Sequence, residues 1–168
     1  MATNTSSLLG VDLSASNSTA LFALRTPVNT TGGGYFEYCE FSATQITGRL
    51  VLITNDGTAY TLLTSKLTAA SATTGIGYDI GAVQNVVNQG EFGWVARKGV
   101  NLYVSITGTC TAGGDIAYAA AGGRVQNAVD AAVGLTSQGI WITTSDSAQS
   151  LVKATLATLL WPRTIIHQ

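Results

Sequence analysis

Short runs of alternating side chains, separated by segments rich in glycine and other turn-forming residues, recur along the chain. The run YFEYCEF (35–41) divides into Tyr35, Glu37, Cys39 and Phe41 on one side, and Phe36, Tyr38 and Glu40 on the other. Side chains of a β-strand point alternately to the two faces of its sheet. The run therefore predicts a strand with aromatic residues on both faces, one facing the core and one packed against another element or subunit.

Two hairpins are predicted from β-prone runs that flank a turn. In RLVLITNDGTAYTLLT (49–64) the turn is Asn55-Asp56-Gly57, and Asp-Gly provides the positive φ angles that a tight hairpin needs. The second pair of runs is EFGWVAR (91–97) and VNLYVSITG (100–108), with Lys98-Gly99 between them. In that hairpin Arg97 and Lys98 would occupy a solvent-exposed turn.

Further strands are predicted at TALFALRT (19–26), closed by Pro27, near 76–80, and in the runs DIAYAA (115–120), GRVQNAV (123–129) and LTSQGIWITT (135–144). The segment 147–161 is compatible with a helix or a strand, and its β-branched residues favour a strand. Many short strands with frequent turns predict an all-β fold, an antiparallel sandwich or barrel. We predict an extended N-terminal arm (1–19), a single β domain (20–161) and a C-terminal tail (162–168).

The chain carries few charges for its length. Of 168 residues only 10% are charged, whereas about 25% is usual in soluble proteins. A monomer with so few charges has little electrostatic protection against association, so we expect much of the surface to meet other protein. The eight basic residues are scattered and balanced by nine acidic ones. Nucleic-acid binding, which needs a dense basic patch, is not expected.

The sequence also bears on membranes, secretion and redox state. Polar residues interrupt every apolar run before the roughly 18 residues that a spanning helix needs, so no membrane association is expected. The first residues lack the basic and apolar regions of a secretory signal, which predicts assembly in the cytoplasm. Cys39 and Cys110 are therefore expected to be reduced core residues, with a disulfide between them as the alternative.

No catalytic, cofactor or metal site is predicted, and we expect that the protein is not an enzyme. The one histidine, His167, stands next to the C-terminus, where a general base is poorly held. Glu37 and Glu40 should face opposite sides of their strand. The other carboxylates, Asp79 among them, stand alone beside loops. GIGYDIG (75–81) lacks the spacing of a dinucleotide-binding loop.

The remaining candidate site is an interface between subunits. The aromatic residues Tyr35, Phe36 and Tyr38 are predicted to pack in the core or at an interface, with carbohydrate binding as the alternative. Arg97 and Lys98 could form ion pairs across the same contact.

Residues 90–157 resemble the capsid decoration, or cement, proteins of tailed bacteriophages. The resemblance is carried by GEFGWVARKGVNLYVSITG, GGDIAYAAAGGRVQNAV and GLTSQGIWITTSDSAQSLVKATL. It implies a structural virion protein on the capsid surface that clamps neighbouring copies of the major capsid protein and forms a homotrimer. The alternatives are a carbohydrate- or host-binding module of a phage tail or fibre, and a hydrolase with an unrecognised site.

Overall fold

The computed structural model describes residues 10–61, 79–113, 116–118, 122–127, 135–138, 140–146, 151–156 and 163–166. These residues form strands and turns without a helix, which confirms the all-β prediction. The strands are β1 (Pro27–Asn29), β2 (Tyr35–Phe41), β3 (Leu50–Ile53), β4 (Thr58–Thr61), β5 (Asp79–Val83), β6 (Phe92–Ser105), β7 (Ile116–Tyr118), β8 (Val125–Asn127), β9 (Leu135–Gln138), β10 (Ile140–Ile142), β11 (Leu151–Leu156) and β12 (Arg163–Ile166).

Five strands close into a small barrel. The eight-stranded sheet has the order β1-β2-β4-β3-β5-β6-β11-β10, and β2 pairs in addition with β6. Because β2 and β6 are the first and last strands of the series β2-β4-β3-β5-β6, their pairing closes the series into a ring. All contacts in the ring are antiparallel except β2 with β4, which is parallel. A second, four-stranded sheet has the order β12-β9-β7-β8.

The first predicted hairpin is confirmed. β3 and β4 pair antiparallel, with Ile53 opposite Ala59. The N–H of Thr54 donates to the carbonyl of Thr58 at 3.0 Å, and the N–H of Gly57 donates back to the carbonyl of Thr54 at 2.9 Å. Gly57 has a φ of 87°, so glycine supplies the left-handed residue that a three-residue hairpin loop requires.

The second predicted hairpin is wrong, because EFGWVAR and VNLYVSITG belong to one continuous strand, β6. Gly99, with a φ of 148°, lets the chain bend without reversing. The first half of β6 pairs with β2 and β5 inside the barrel. Its second half leaves the barrel and pairs with β11.

The two faces of the barrel strands form separate cores. The interior cluster is apolar and consists of Cys39, Phe41, Val51, Ile53, Ala59, Val83, Val87 and Val95. The outer faces carry a larger cluster that includes Phe36, Tyr38, Leu52, Ile80 and Trp94. Cys39 lies in the first cluster and Cys110 in the second, and both thiols are free. The prediction that both faces of β2 are buried is therefore confirmed.

Residues of the segment 10–17 lie against the barrel. Leu13 is buried in the outer cluster, and Asn17 forms two backbone hydrogen bonds with Phe92 at the start of β6. The strand predicted at 19–26 is wrong: these residues form bends and turns, and the first strand begins at Pro27. Arg25 adopts a positive φ of 67°, which is incompatible with an extended strand.

Several predicted strands of the C-terminal half are confirmed. DIAYAA contains β7, GRVQNAV contains β8, and LTSQGIWITT contains β9 and β10. The ambiguous segment 147–161 contains a strand, β11. Four residues of the predicted tail form β12 and pair antiparallel with β9. The strand predicted near 76–80 is represented by β5, whereas 76–78 and the first nine residues of the predicted arm lie outside the described residues.

Candidate functional site

The largest polar cluster among the described residues lies at one end of the barrel interior. Glu37 of β2, Asp79 of β5 and Arg97 of β6 project from three strands of the ring, and Arg25 comes from the turn that precedes β1. Glu37 pairs in register with Val95, and Asp79 with Ile53. Since Val95 and Ile53 belong to the interior cluster, the two carboxylates lie on the interior face of the ring.

The four side chains form a closed cycle of ion pairs, which we call the charged network. Arg97 contacts Glu37 at 3.0 Å and Asp79 at 2.8 Å. Arg25 contacts the same two carboxylates, Glu37 at 3.3 Å and Asp79 at 2.5 Å. Arg25 also donates to the carbonyl of Thr54 at 3.3 Å. Two positive and two negative charges therefore alternate around the cycle and neutralise one another.

Burial differs among the four groups. The Arg97 side chain is 2% exposed and that of Glu37 is 7%, whereas Arg25 is 27% and Asp79 is 35% exposed. Burial alone would raise the pKa of Asp79, but hydrogen bonds from Arg97 and Arg25 outweigh it and hold that pKa below its usual value. Burial would likewise lower the pKa of Arg25, but the hydrogen bond to Asp79 and the charge of Glu37 raise it overall.

The charged network is suited to holding the fold together rather than to catalysis. Each carboxylate is bound by two guanidinium groups. For Asp79 these contacts hold the pKa below its usual value, so this carboxylate is not poised to take up a proton near neutral pH. Within the described ranges, no group of three or more His, Cys, Asp or Glu residues could hold a metal ion. The nearby thiol of Cys39 is also unreactive, because burial and the charge of Glu37 raise its pKa to about 12.

Two predictions about these residues are wrong. Arg97 does not occupy an exposed turn, since β6 continues through it into the barrel. Asp79 does not stand alone, because it binds two arginines. One sequence signal could have revealed the pairing: Glu37 shares a face with Cys39 and Phe41, and a carboxylate on a buried face needs a cation. The prediction that Glu37 and Glu40 face opposite sides of β2 agrees with the register.

The residues predicted to form an interface differ in accessibility. Phe36, Tyr38 and Arg97 are almost fully buried within this chain, while Tyr35 and Lys98, which pair across β2 and β6, are half-buried. The ion pairs of Arg97 are made inside the chain. Contact of Tyr35 and Lys98 with a partner stays a prediction.

Aromatic rings cover the outside of the barrel beside β2 and β6. Tyr38 lies between Trp94, with ring centroids 5.0 Å apart, and Phe22, at 5.3 Å in an edge-to-face arrangement. Phe92 stacks on the same tyrosine at 6.3 Å. The hydroxyl of Tyr38 accepts a hydrogen bond from the N–H of Leu21 at 3.1 Å. These contacts fix the turn segment that carries Arg25 over the barrel.

Several large apolar side chains nevertheless remain at the surface. They are Leu21 (61% exposed), Phe22 (36%), Ile46 (48%), Val86 (57%), Val100 (53%) and Trp141 (60%). Such residues on the part of the chain that the structure describes are available for contact with a partner. A helix capable of crossing a bilayer is not found among the described residues.

Comparisons with known proteins give a distant structural likeness. No family model matches the chain, and no curated protein matches it. Among solved structures, the chain is similar to the N base of head fiber gp8.5 in bacteriophage phi29, with a TM-score of 0.45 and 10% sequence identity. The match covers 79% of this chain and 98% of that chain.

Proposed function

We propose that the protein is a structural component of a bacteriophage virion that acts by binding other protein subunits. The observation that carries this proposal is the surface: the described residues expose six large apolar side chains, and only 10% of the residues in the chain are charged. Two of the eight basic and two of the nine acidic residues neutralise one another in the charged network. Few charges therefore remain to repel other copies of the chain or other protein subunits.

The specific role that we propose is capsid decoration, in which a homotrimer on the capsid surface clamps neighbouring major capsid subunits. The segments that resemble decoration proteins contain the strands from β6 to β11. A fixed β-rich body with an internally neutralised polar cluster suits a static, load-carrying role. Assembly in the host cytoplasm belongs to the same proposal.

Binding to capsids tests this role. Capsids of the parent phage that were assembled without the protein should bind it saturably and then melt at a higher temperature in calorimetry. An unrelated β-rich protein of similar size, at the same concentration, should do neither. Saturable binding is expected because decoration sites repeat with the capsid lattice. Capsids that neither bind the protein nor gain thermal stability would contradict the role.

A second candidate function, glycan binding, is favoured by one observation. Trp141 is 60% exposed, and its ring lies against Gly113. A Cβ atom added at Gly113 would lie 3.3 Å from Cζ2 of the indole. An exposed indole held by a close turn offers a flat surface on which a sugar ring can stack. Binding on a glycan array that is lost in Trp141→Ala would support this function, and an array without any hit would exclude it.

A further inference from the structure

Two arginines, Arg49 and Arg124, lie at the end of the barrel opposite the charged network. Asp79 begins β5 at the charged network, and Val83 ends it; the N–H of Val83 donates to the carbonyl of Arg49 at 2.9 Å. The next residue, Leu50, donates its N–H to the carbonyl of Gly123 at 2.8 Å, which brings the Gly122–Arg124 loop beside Arg49. A Cβ atom at Gly123 would approach the carbonyl oxygen of Leu50 to 2.4 Å, so only glycine permits this contact.

Arg49 and Arg124 are a pair of like charges without an acidic partner among the described residues. Arg49 donates from Nη1 to the carbonyl of Gly122, but its Nε is buried and has no hydrogen-bond partner there. The described ion pairs involve Arg25 and Arg97 and neither of these two arginines. Burial lowers the pKa of Arg49, and the positive charge of Arg124 lowers it further.

This arrangement is unfavourable in the isolated chain and would be relieved by an anion. A buried donor without a partner costs roughly 1–3 kcal/mol, and two neighbouring cations repel one another. A carboxylate beside the two guanidinium groups would offset their repulsion, and rotation of the Arg49 side chain towards it would give Nε an acceptor. Guanidinium groups bind carboxylates with paired, charge-assisted hydrogen bonds.

Exposed apolar residues lie on the segments next to Arg49. The N–H of Arg49 donates to the carbonyl of Ile46 at 3.2 Å, and the bridge between Gln45 and Val87 places Ile46 next to Val86. Ile46 is 48% and Val86 57% exposed. Arginine is enriched in protein interfaces and in their hot spots, and a partner that covers the adjacent apolar side chains removes them from water.

We propose that Arg49 and Arg124, with Ile46 and Val86, form a docking surface for a protein segment that presents a carboxylate beside an apolar side chain. The choice of a protein partner rests on the proposed function. It agrees with the overall charge of −1, which disfavours a polyanion such as nucleic acid. The surface lies at the opposite end of the barrel from the charged network, so the network is not disturbed when a partner binds.

An NMR titration tests the surface directly. The probe is the acetylated and amidated tripeptide Glu-Leu-Glu, added to the isotope-labelled full chain, and the readout is the Nε–H signals of arginine. We expect saturable shifts at Arg49 and Arg124 that weaken with added salt, and none with the neutral tripeptide Gln-Leu-Gln. Arg124→Gln should weaken binding about ten-fold, in line with the loss of one member of a charged contact. Lys153→Gln, which removes the same charge on strand β11, should bind as the wild type does.

Stability separates a binding role from a structural one. Arg124→Gln relieves repulsion and should keep or raise the melting temperature, so this variant preserves the test even if Arg49→Gln folds poorly. An unshifted Arg49 signal, equal loss of binding in Lys153→Gln, or tighter binding of inorganic phosphate than of the peptide would overturn the proposal. If the wild type does not bind the peptide and Arg124→Gln binds capsids normally, only this inference is contradicted. Peptide binding without capsid binding contradicts only the decoration role.

Discussion

At the scale of single residues, the charged network shows how a mostly apolar barrel accommodates ionised groups. Arg97 is the most buried of the four side chains and contacts both carboxylates. A buried ion pair often adds little net stability compared with apolar residues of the same size, because desolvation opposes the attraction. Losing one member is different, since the remaining charges stay buried without compensation. The network therefore makes the fold depend on each member in proportion to its burial.

Substitution of Arg97 tests this dependence. Arg97→Met leaves Glu37 with only the more exposed Arg25, and we expect a loss of about 3–5 kcal/mol in the free energy of unfolding. Arg25→Met should cost less than half as much, because Arg97 still binds both carboxylates. Urea denaturation gives both values, with Lys98→Met as a control on the same strand. Equal losses for the two arginines would contradict the ranking by burial.

Acid should weaken the network through Asp79. Its pKa in the folded state lies below the value of about 3.9 in an unfolded chain. The stability contributed by its ionised form is therefore complete above about pH 4 and is lost as the pH falls through the folded-state pKa. Asp79→Asn should be less stable than the wild type at pH 7 and should lose less stability between pH 5 and pH 2. Parallel stability curves for the two proteins in urea titrations at several pH values would refute this.

At the scale of elements, the sequence predicts features that depend on neighbouring residues, such as turns and strand alternation, but not the pairing of strands that are distant along the chain. The Asp56-Gly57 turn and the alternation of 35–41 are encoded within a few residues, and both predictions are confirmed. The bend at Gly99 cannot be told from a turn by local sequence, because a glycine next to a charged pair is compatible with both. The burial of Arg97 could not be predicted for the same reason, since it follows from the continuous strand. Closure of the barrel depends on pairings such as β2 with β4 and β2 with β6, which no local pattern specifies.

Tight packing between strands β5 and β6 gives a prediction at this scale. A Cβ atom at Gly81 would lie 2.3 Å from Cγ1 of Val95 and 2.9 Å from the carbonyl oxygen of Ala96. Gly81→Ala should therefore lower the free energy of unfolding by about 1–3 kcal/mol through overpacking. The cost should shrink in a Val95→Ala background, which removes one clashing atom. A double-mutant cycle measured in urea checks this, and strictly additive effects would show that the clash is not responsible.

At the scale of the whole molecule, the distribution of charge links the fold to the proposed assembly. The barrel neutralises four charges at one end and presents two arginines without described acidic partners at the other. Exposed apolar residues occur on the segments next to Arg49, at Ile46 and Val86, and on strand β10, at Trp141. An isolated chain with this surface has more than one place at which another protein could bind. Self-association and binding to a shell are therefore separable properties.

Self-association gives the last prediction. If the chain forms the proposed homotrimer, its melting temperature should rise with protein concentration, because subunits that bind only when folded stabilise the folded state by mass action. Thermal unfolding should be followed over a hundred-fold range of concentration, with the solution mass measured by light scattering at each end. Ile46→Asp and Val86→Asp show whether the docking surface contributes: if it serves a different protein, both variants keep the concentration dependence of the wild type. A melting temperature independent of concentration, together with a monomeric mass throughout, would contradict the trimer and leave binding to a capsid as a property of the single chain.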